Sequence, residues 1–145
     1  MKRRQALKIS SVATIALTAT VHGGCSKNSI LFNHGVASGD PLSERVILWT
    51  RVTPSKPGPI KVNLEISTDQ KFSSIVFSKV LSTSSLLDYT IKYDFSIKNI
   101  FKSGETFFYR FNASSAMSEV GKTKTLPPDV NKIKMGVFSC SNFPA

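Results

Sequence analysis

The stretch PIKVNLEIS, Pro59 to Ser67, decides the fold. Ile60, Val62, Leu64 and Ile66 fall on one side of an extended chain, and Lys61, Asn63, Glu65 and Ser67 on the other. A period of two with one apolar face is the pattern of a half-buried strand. TIKYDFSI, Thr90 to Ile97, repeats it with Ile91, Tyr93, Phe95 and Ile97 inward, and TFFYRFNA, Thr106 to Ala113, does so with Phe107, Tyr109 and Phe111. VILWTRV, Val46 to Val52, is rich in β-formers and apolar on both sides, so it reads as a central strand covered on two faces. Ile75 to Leu81 is a weaker strand. Val120 to Leu126, with its Thr and Lys, suits a sheet edge.

The breaks between these runs carry Gly, Pro, Ser and Asp: GDPLSE, TPSKPGP, STDQKF and FKSGE. No helical period is present from Phe32 onward. Short strands at regular spacing predict an all-β, immunoglobulin/fibronectin-III-like sandwich over residues 32–126. Trp49, Tyr93, Phe95, Phe107, Tyr109 and Phe111 are expected to supply most of its core. Residues 127–145 begin with PPDV, which cannot extend a ladder, and continue with a fresh strand from Ile133 to Cys140.

Residues 1–24 read as a signal peptide: Lys2, Arg3, Arg4 and Lys8, then an uncharged stretch from Ile9 to Val21, then small residues. That stretch is shorter than the ~20 residues of a comfortable membrane span. RRQALK resembles a twin-arginine signal, and HGGC resembles a lipobox in which Cys25 would carry the lipid, with His22 in place of the usual Leu. An acyl chain there would add ~0.8 kcal/mol of membrane affinity per buried CH₂. Residues 25–31 form a polar linker. The expected location is the periplasm or cell envelope.

The formal charge is +10, but residues 1–24 hold four cations and no acid, leaving 15 basic against 9 acidic residues, or +6. The cations are scattered without aromatic interleaving, so no nucleic-acid partner is expected. The two cysteines, Cys25 and Cys140, are not expected to pair. There is no G-x-S-x-G elbow, H-E-x-x-H or C-x-x-C motif. His34 and Asp40 are candidates for a carboxylate–imidazole pair, with turn-building the better account of Asp40.

FNHGVASGDPLSERVILWTRV, Phe32 to Val52, resembles the amino-terminal domain of the alkaline phosphatase D family, with ISTDQKF and SGETFFYRF following in the family's order. In FSCSN, Cys140 matches the family's iron-binding thiolate. The structural motif consists of Gly35 and Gly39, expected to supply turns closed to other residues, Asp40 and Pro41, expected to pin a corner, and Trp49. A tyrosine often marks the corner before the late strand of such sandwiches; Phe107 takes its place, so a hydroxyl bond worth ~1 kcal/mol is absent and a looser corner is expected.

The resemblance implies a metal-dependent phosphomonoesterase or phosphodiesterase whose iron and calcium ligands lie mostly beyond Cys140. This chain is therefore expected to hold no cofactor and no catalytic residue, and to be the structural and export portion of such an enzyme, truncated before its metallophosphatase domain. A separately encoded metallophosphatase domain is one expected partner, and the membrane, through Cys25, another. The alternative is a standalone exported β-sandwich that binds a surface partner.

Overall fold

The computed structural model describes residues 29–129, 131–132 and 136–137. The leader, Cys25 and the expected strand with Cys140 lie outside the described residues.

Ten strands are present among the described residues: β1 Ile30–Leu31, β2 Val36–Gly39, β3 Arg45–Arg51, β4 Thr53–Pro54, β5 Ile60–Ser67, β6 Ile75–Thr83, β7 Thr90–Ser96, β8 Thr106–Ala113, β9 Ala116–Met117 and β10 Gly121–Lys124. A short 3-10 turn at Ser85–Leu87 links β6 to β7. One sheet has the order β2-β3-β7; the facing sheet has the order β10-β8-β5-β6, with β9 added to β8. β1 and β4 form a separate ribbon. All the described ladders are antiparallel. This is a β-sandwich of the expected class, with the chain crossing between sheets after β3, β6 and β7.

Alternation builds the core. Val62, Leu64 and Ile66 of β5 are fully enclosed, as are Leu48 of β3 and Phe107 and Phe111 of β8. Each such side chain contributes roughly 1.5–3 kcal/mol by leaving water. Phe95 meets Phe107 edge-on at 5.4 Å and Phe77 at 5.1 Å, tying β7 to both other aromatic strands. The corner at Phe107 is filled by packing. Its ring is wholly buried and stacks on Phe101 at 4.9 Å, so aromatic contact takes over where a tyrosine hydroxyl would bond.

Three expectations are corrected. Trp49 is not a core residue: β3 turns Val46, Leu48 and Thr50 inward, which leaves Ile47, Trp49 and Arg51 half-buried on the outer side. β3 is central, between β2 and β7, but among the described residues only one of its faces is covered by the second sheet. Ser67, expected outward, is fully buried. A bulge between Ile66 and Ser67 breaks the alternation there, and the Ser67 hydroxyl donates to the Ser74 carbonyl at 2.7 Å. Tyr93 faces inward as expected but sits at the rim, half-buried, beside Phe77 and under Lys79.

One seam closes the sandwich. Tyr109 of β8 is cross-strand from Gly121 of β10, and its ring lies over that glycine. Ser38 of β2, in the opposite sheet, neighbours its hydroxyl. Burial pushes the Tyr109 hydroxyl pKa up, with the polar Ser38 working against that rise.

Candidate functional site

The stretch Phe32–Val52 folds into one hairpin, β2 against β3, with Val36 opposite Thr50 and Gly39 opposite Ile47. Its motif residues divide between the two ends and the outer face of that hairpin.

At the β2 start, Gly35 has φ +64, a left-handed conformation that favours glycine. Its carbonyl accepts a bond from the Thr50 hydroxyl at 2.8 Å. This places His34 beside Arg51. The Arg51 guanidinium is held on two sides: Nη2 donates to Asp88 Oδ1 at 2.8 Å, Nε contacts Asp88 Oδ2 at 3.1 Å and the Asp88 carbonyl at 3.0 Å, and Nη1 lies 2.6 Å from His34 Nε2. Asp88 and Tyr89 both take left-handed φ, 49° and 54°, so the turn itself carries the carboxylate to Arg51. The Arg51 hydrogen bond is the main reason the Asp88 carboxyl sits below the usual carboxylate range; burial opposes the shift, and the Arg51 charge adds to it. Asp88 in turn pushes the Arg51 guanidinium up. With Arg51 bridging His34 and Asp88, the cluster fastens β3, the β2 turn and the β6–β7 corner together. It presents no activated nucleophile or poised base.

At the β2 end, Asp40 has φ 48, which Asp tolerates better than most residues, and Pro41 follows it. Leu42 N–H bonds the Arg45 carbonyl at 2.8 Å to complete the corner. Asp40 and His34 stand at opposite ends of β2, about 13 Å of extended chain, and do not form a pair. The reading of Gly39 as a forced turn residue is also corrected: its φ is not left-handed, and a Cβ there would meet nothing within 4 Å.

The outer face of the β2-β3-β7 sheet joins these two ends. Register places Ala37 beside Trp49 and Gly39 beside Ile47 on one flank, with Lys92 beside Trp49 and Asp94 beside Ile47 on the other. Arg45 pairs with Asp94. Lys92 has no ion-pair partner among the described residues. Sequence reasoning missed this face because it assigned Trp49 to the core; the double-sided apolarity of VILWTRV was the available signal.

No group of three or more His, Cys, Asp or Glu side chains converges among the described residues. The described residues therefore offer no set of three or more such ligands for the metals that the family resemblance implies. Cys140, the one residue matched to a metal ligand, lies outside them. Elsewhere, an open cleft of about 350 Å³ beside Thr106, Lys122, Thr123 and Lys124 is a shallow groove along β10 without a convergent donor set.

Residues 17–127 match the family model for the PhoD-like phosphatase, N-terminal domain. Alkaline phosphatase D of Bacillus subtilis (strain 168) is 31% identical over 126 residues, which is 80% of this chain and 21% of that protein. A solved structure of PhoD superposes with a TM-score of 0.60 at 34% identity, covering 66% of this chain and 19% of that one. The chain thus spans about one fifth of the length of the relatives it matches.

Proposed function

We propose, from the premise that the chain belongs to the PhoD-like phosphatase family, that it is the structural amino-terminal sandwich of an alkaline phosphatase D-type phosphomonoesterase or phosphodiesterase and does not hydrolyse phosphate esters by itself. The observation that carries this reading is the match itself: residues 17–127 align with the amino-terminal domain of the family. Phosphate-ester hydrolysis needs a polarised phosphoryl oxygen and an activated nucleophile. In this reading a metallophosphatase domain supplies both, with its iron and calcium, and the sandwich supplies a rigid body for that domain to rest on. Cys140 would be the first ligand of that domain and not part of the sandwich.

Export accompanies the reading. The basic head and uncharged stretch of residues 1–24 would direct the chain across the membrane, and acylation at Cys25 would hold it at the envelope. No helix among the described residues is long and apolar enough to cross a membrane.

The test is hydrolysis of p-nitrophenyl phosphate and bis-p-nitrophenyl phosphate by the purified chain with iron and calcium supplied. The expected rate equals the blank. Metal-dependent turnover above it would overturn the assignment. A folded chain that binds a glycan or another protein, and confers nothing on a phosphatase domain, would favour the standalone module instead. Mass spectrometry of the mature amino terminus reads cleavage and acylation together.

A further inference from the structure

We propose that the outer face of the β2-β3-β7 sheet, centred on Trp49, is the surface that seats a PhoD-type metallophosphatase domain; this rests on the functional reading above and names the partner surface within it.

Three observations carry it. First, β3 is apolar on both sides, but the second sheet covers only the side of Val46, Leu48 and Thr50. The other side offers Ile47 and Trp49, each half-buried, in the middle of a three-stranded sheet. At the matching central position of the other sheet, the outer side of β5 carries Lys61, Asn63 and Glu65, with the apolar Val80 and Phe108 on the flanking strands β6 and β8. Second, β2 flanks this stripe with Ala37 and Gly39, both exposed. Gly39 needs no left-handed φ and has open space where a Cβ would stand. Nothing inside the sandwich demands a glycine there, whereas a surface laid closely against Ile47 and Trp49 would. Third, the ends of the face are neutralised internally by Arg45–Asp94 and Arg51–Asp88, while Lys92, cross-strand from Trp49, has no ion-pair partner among the described residues. An aromatic anchor with one cation beside it suits a partner that presents an apolar patch bordered by a carboxylate.

The place where the chain leaves the sandwich selects the occupant. Leu126 N–H bonds the Leu42 carbonyl at 3.0 Å, and Pro127 packs on Gly104, so the polypeptide after β10 departs beside the Gly39–Leu42 corner of this same face. The relatives continue for about four-fifths of their length outside the matched portion. A domain following from that corner reaches the Trp49 face with little intervening chain.

The experiment replaces the matched portion of Bacillus subtilis alkaline phosphatase D with this chain and compares the hybrid with the full chain alone by hydroxyl-radical footprinting. Trp49 is the chain's single tryptophan, so its oxidation reports on this face. Met117, 56% exposed on β9 of the other sheet, is the reference. Where the single-chain hybrid is insoluble, the two pieces are co-expressed and the copurified pair is footprinted. The expected result is at least about a tenfold slower oxidation of Trp49 relative to Met117, equivalent to about 1.4 kcal/mol of protection. Gly39→Gln with Lys92→Glu should restore the rate of the isolated chain without moving that chain's own melting temperature. A hybrid that turns over p-nitrophenyl phosphate while Trp49 oxidises as in the isolated chain overturns the docking face and leaves the family reading standing. Neither association nor turnover in either format overturns the functional reading and this inference with it. Protection of Trp49 in the chain alone that grows with concentration assigns the face to a second copy and overturns the inference.

Discussion

Gly121→Ala should be among the most damaging single-methyl changes in this domain. A Cβ at Gly121 would stand 2.2 Å from Tyr109 Cζ, 2.4 Å from Cε1 and 2.7 Å from the hydroxyl oxygen. Carbon atoms in contact rest at about 3.5–4.0 Å, so the ring must move by more than about 1 Å. It has little freedom to do so. Tyr109 is 2% exposed, its ring meets Phe111 edge-on at 6.1 Å, and Ser38 of the opposite sheet stands beside its hydroxyl. Overpacking of this kind costs about 1–3 kcal/mol. A central value of about 2 kcal/mol corresponds to a fall in Tm of about 8–16 °C for a domain of this size. The assay is thermal and urea unfolding of wild type, Gly121→Ala, Tyr109→Leu and the double variant. Tyr109→Leu alone should destabilise by opening a cavity, and the double variant should lose at least about 1 kcal/mol less than the sum of the singles, because the methyl then occupies released space. If Gly121→Ala melts within about 0.5 kcal/mol of wild type, the ring has room to swing and Tyr109 does not close the seam between β2 and β10.

Asp69 accepts bonds from the backbone N–H groups of Lys71, Ser73 and Ser74, and with the Ser67 hydroxyl these outweigh burial and hold its carboxyl below the ordinary value of 3.8; Asp88 is lowered chiefly by Arg51. Depressed carboxylates contribute stability that is complete above 3.8 and lost as pH falls through their lowered values. Tm measured from pH 6 to pH 2 should therefore fall more steeply at the acid end for wild type than for Asp69→Asn or Asp88→Asn; parallel curves would refute the assignment. Phe107→Tyr should lower stability by about 1–3 kcal/mol, since the added hydroxyl enters a wholly buried aromatic stack, and a rise in Tm would show that a corner bond can form there. Glu65→Ala should cost about 1–2 kcal/mol by urea unfolding, because Arg110 loses its 2.8 Å partner on a mostly covered face while still lying over Phe72; an unchanged midpoint would make that pair ornamental.

The fold class was written in the local pattern. Alternation at Ile60–Ile66, Ile91–Ile97 and Phe107–Phe111 needs no distant partner to be read, because a period of two leaves only one way to bury one face of a strand. The breaks at GDPLSE and STDQKF were legible for the same reason, since they rest on backbone preferences of single residues. The two-residue strands β1, β4 and β9, and the bulge that turns Ser67 inward, were not legible, because each is defined by the pairing of a partner segment.

For the candidate site, sequence alone determined the family resemblance of Phe32–Val52 and the residue types available to it. Tertiary structure decided their roles. Arg51 meets residues 17 and 37 positions away, a juxtaposition no periodicity contains. Trp49 faces away from the core because a strand apolar on both sides gives no internal sign of which side the second sheet will take. Only packing breaks that symmetry: Phe95, Phe107 and Phe111 fill the inner layer against Leu48, and the tryptophan is left on the other face.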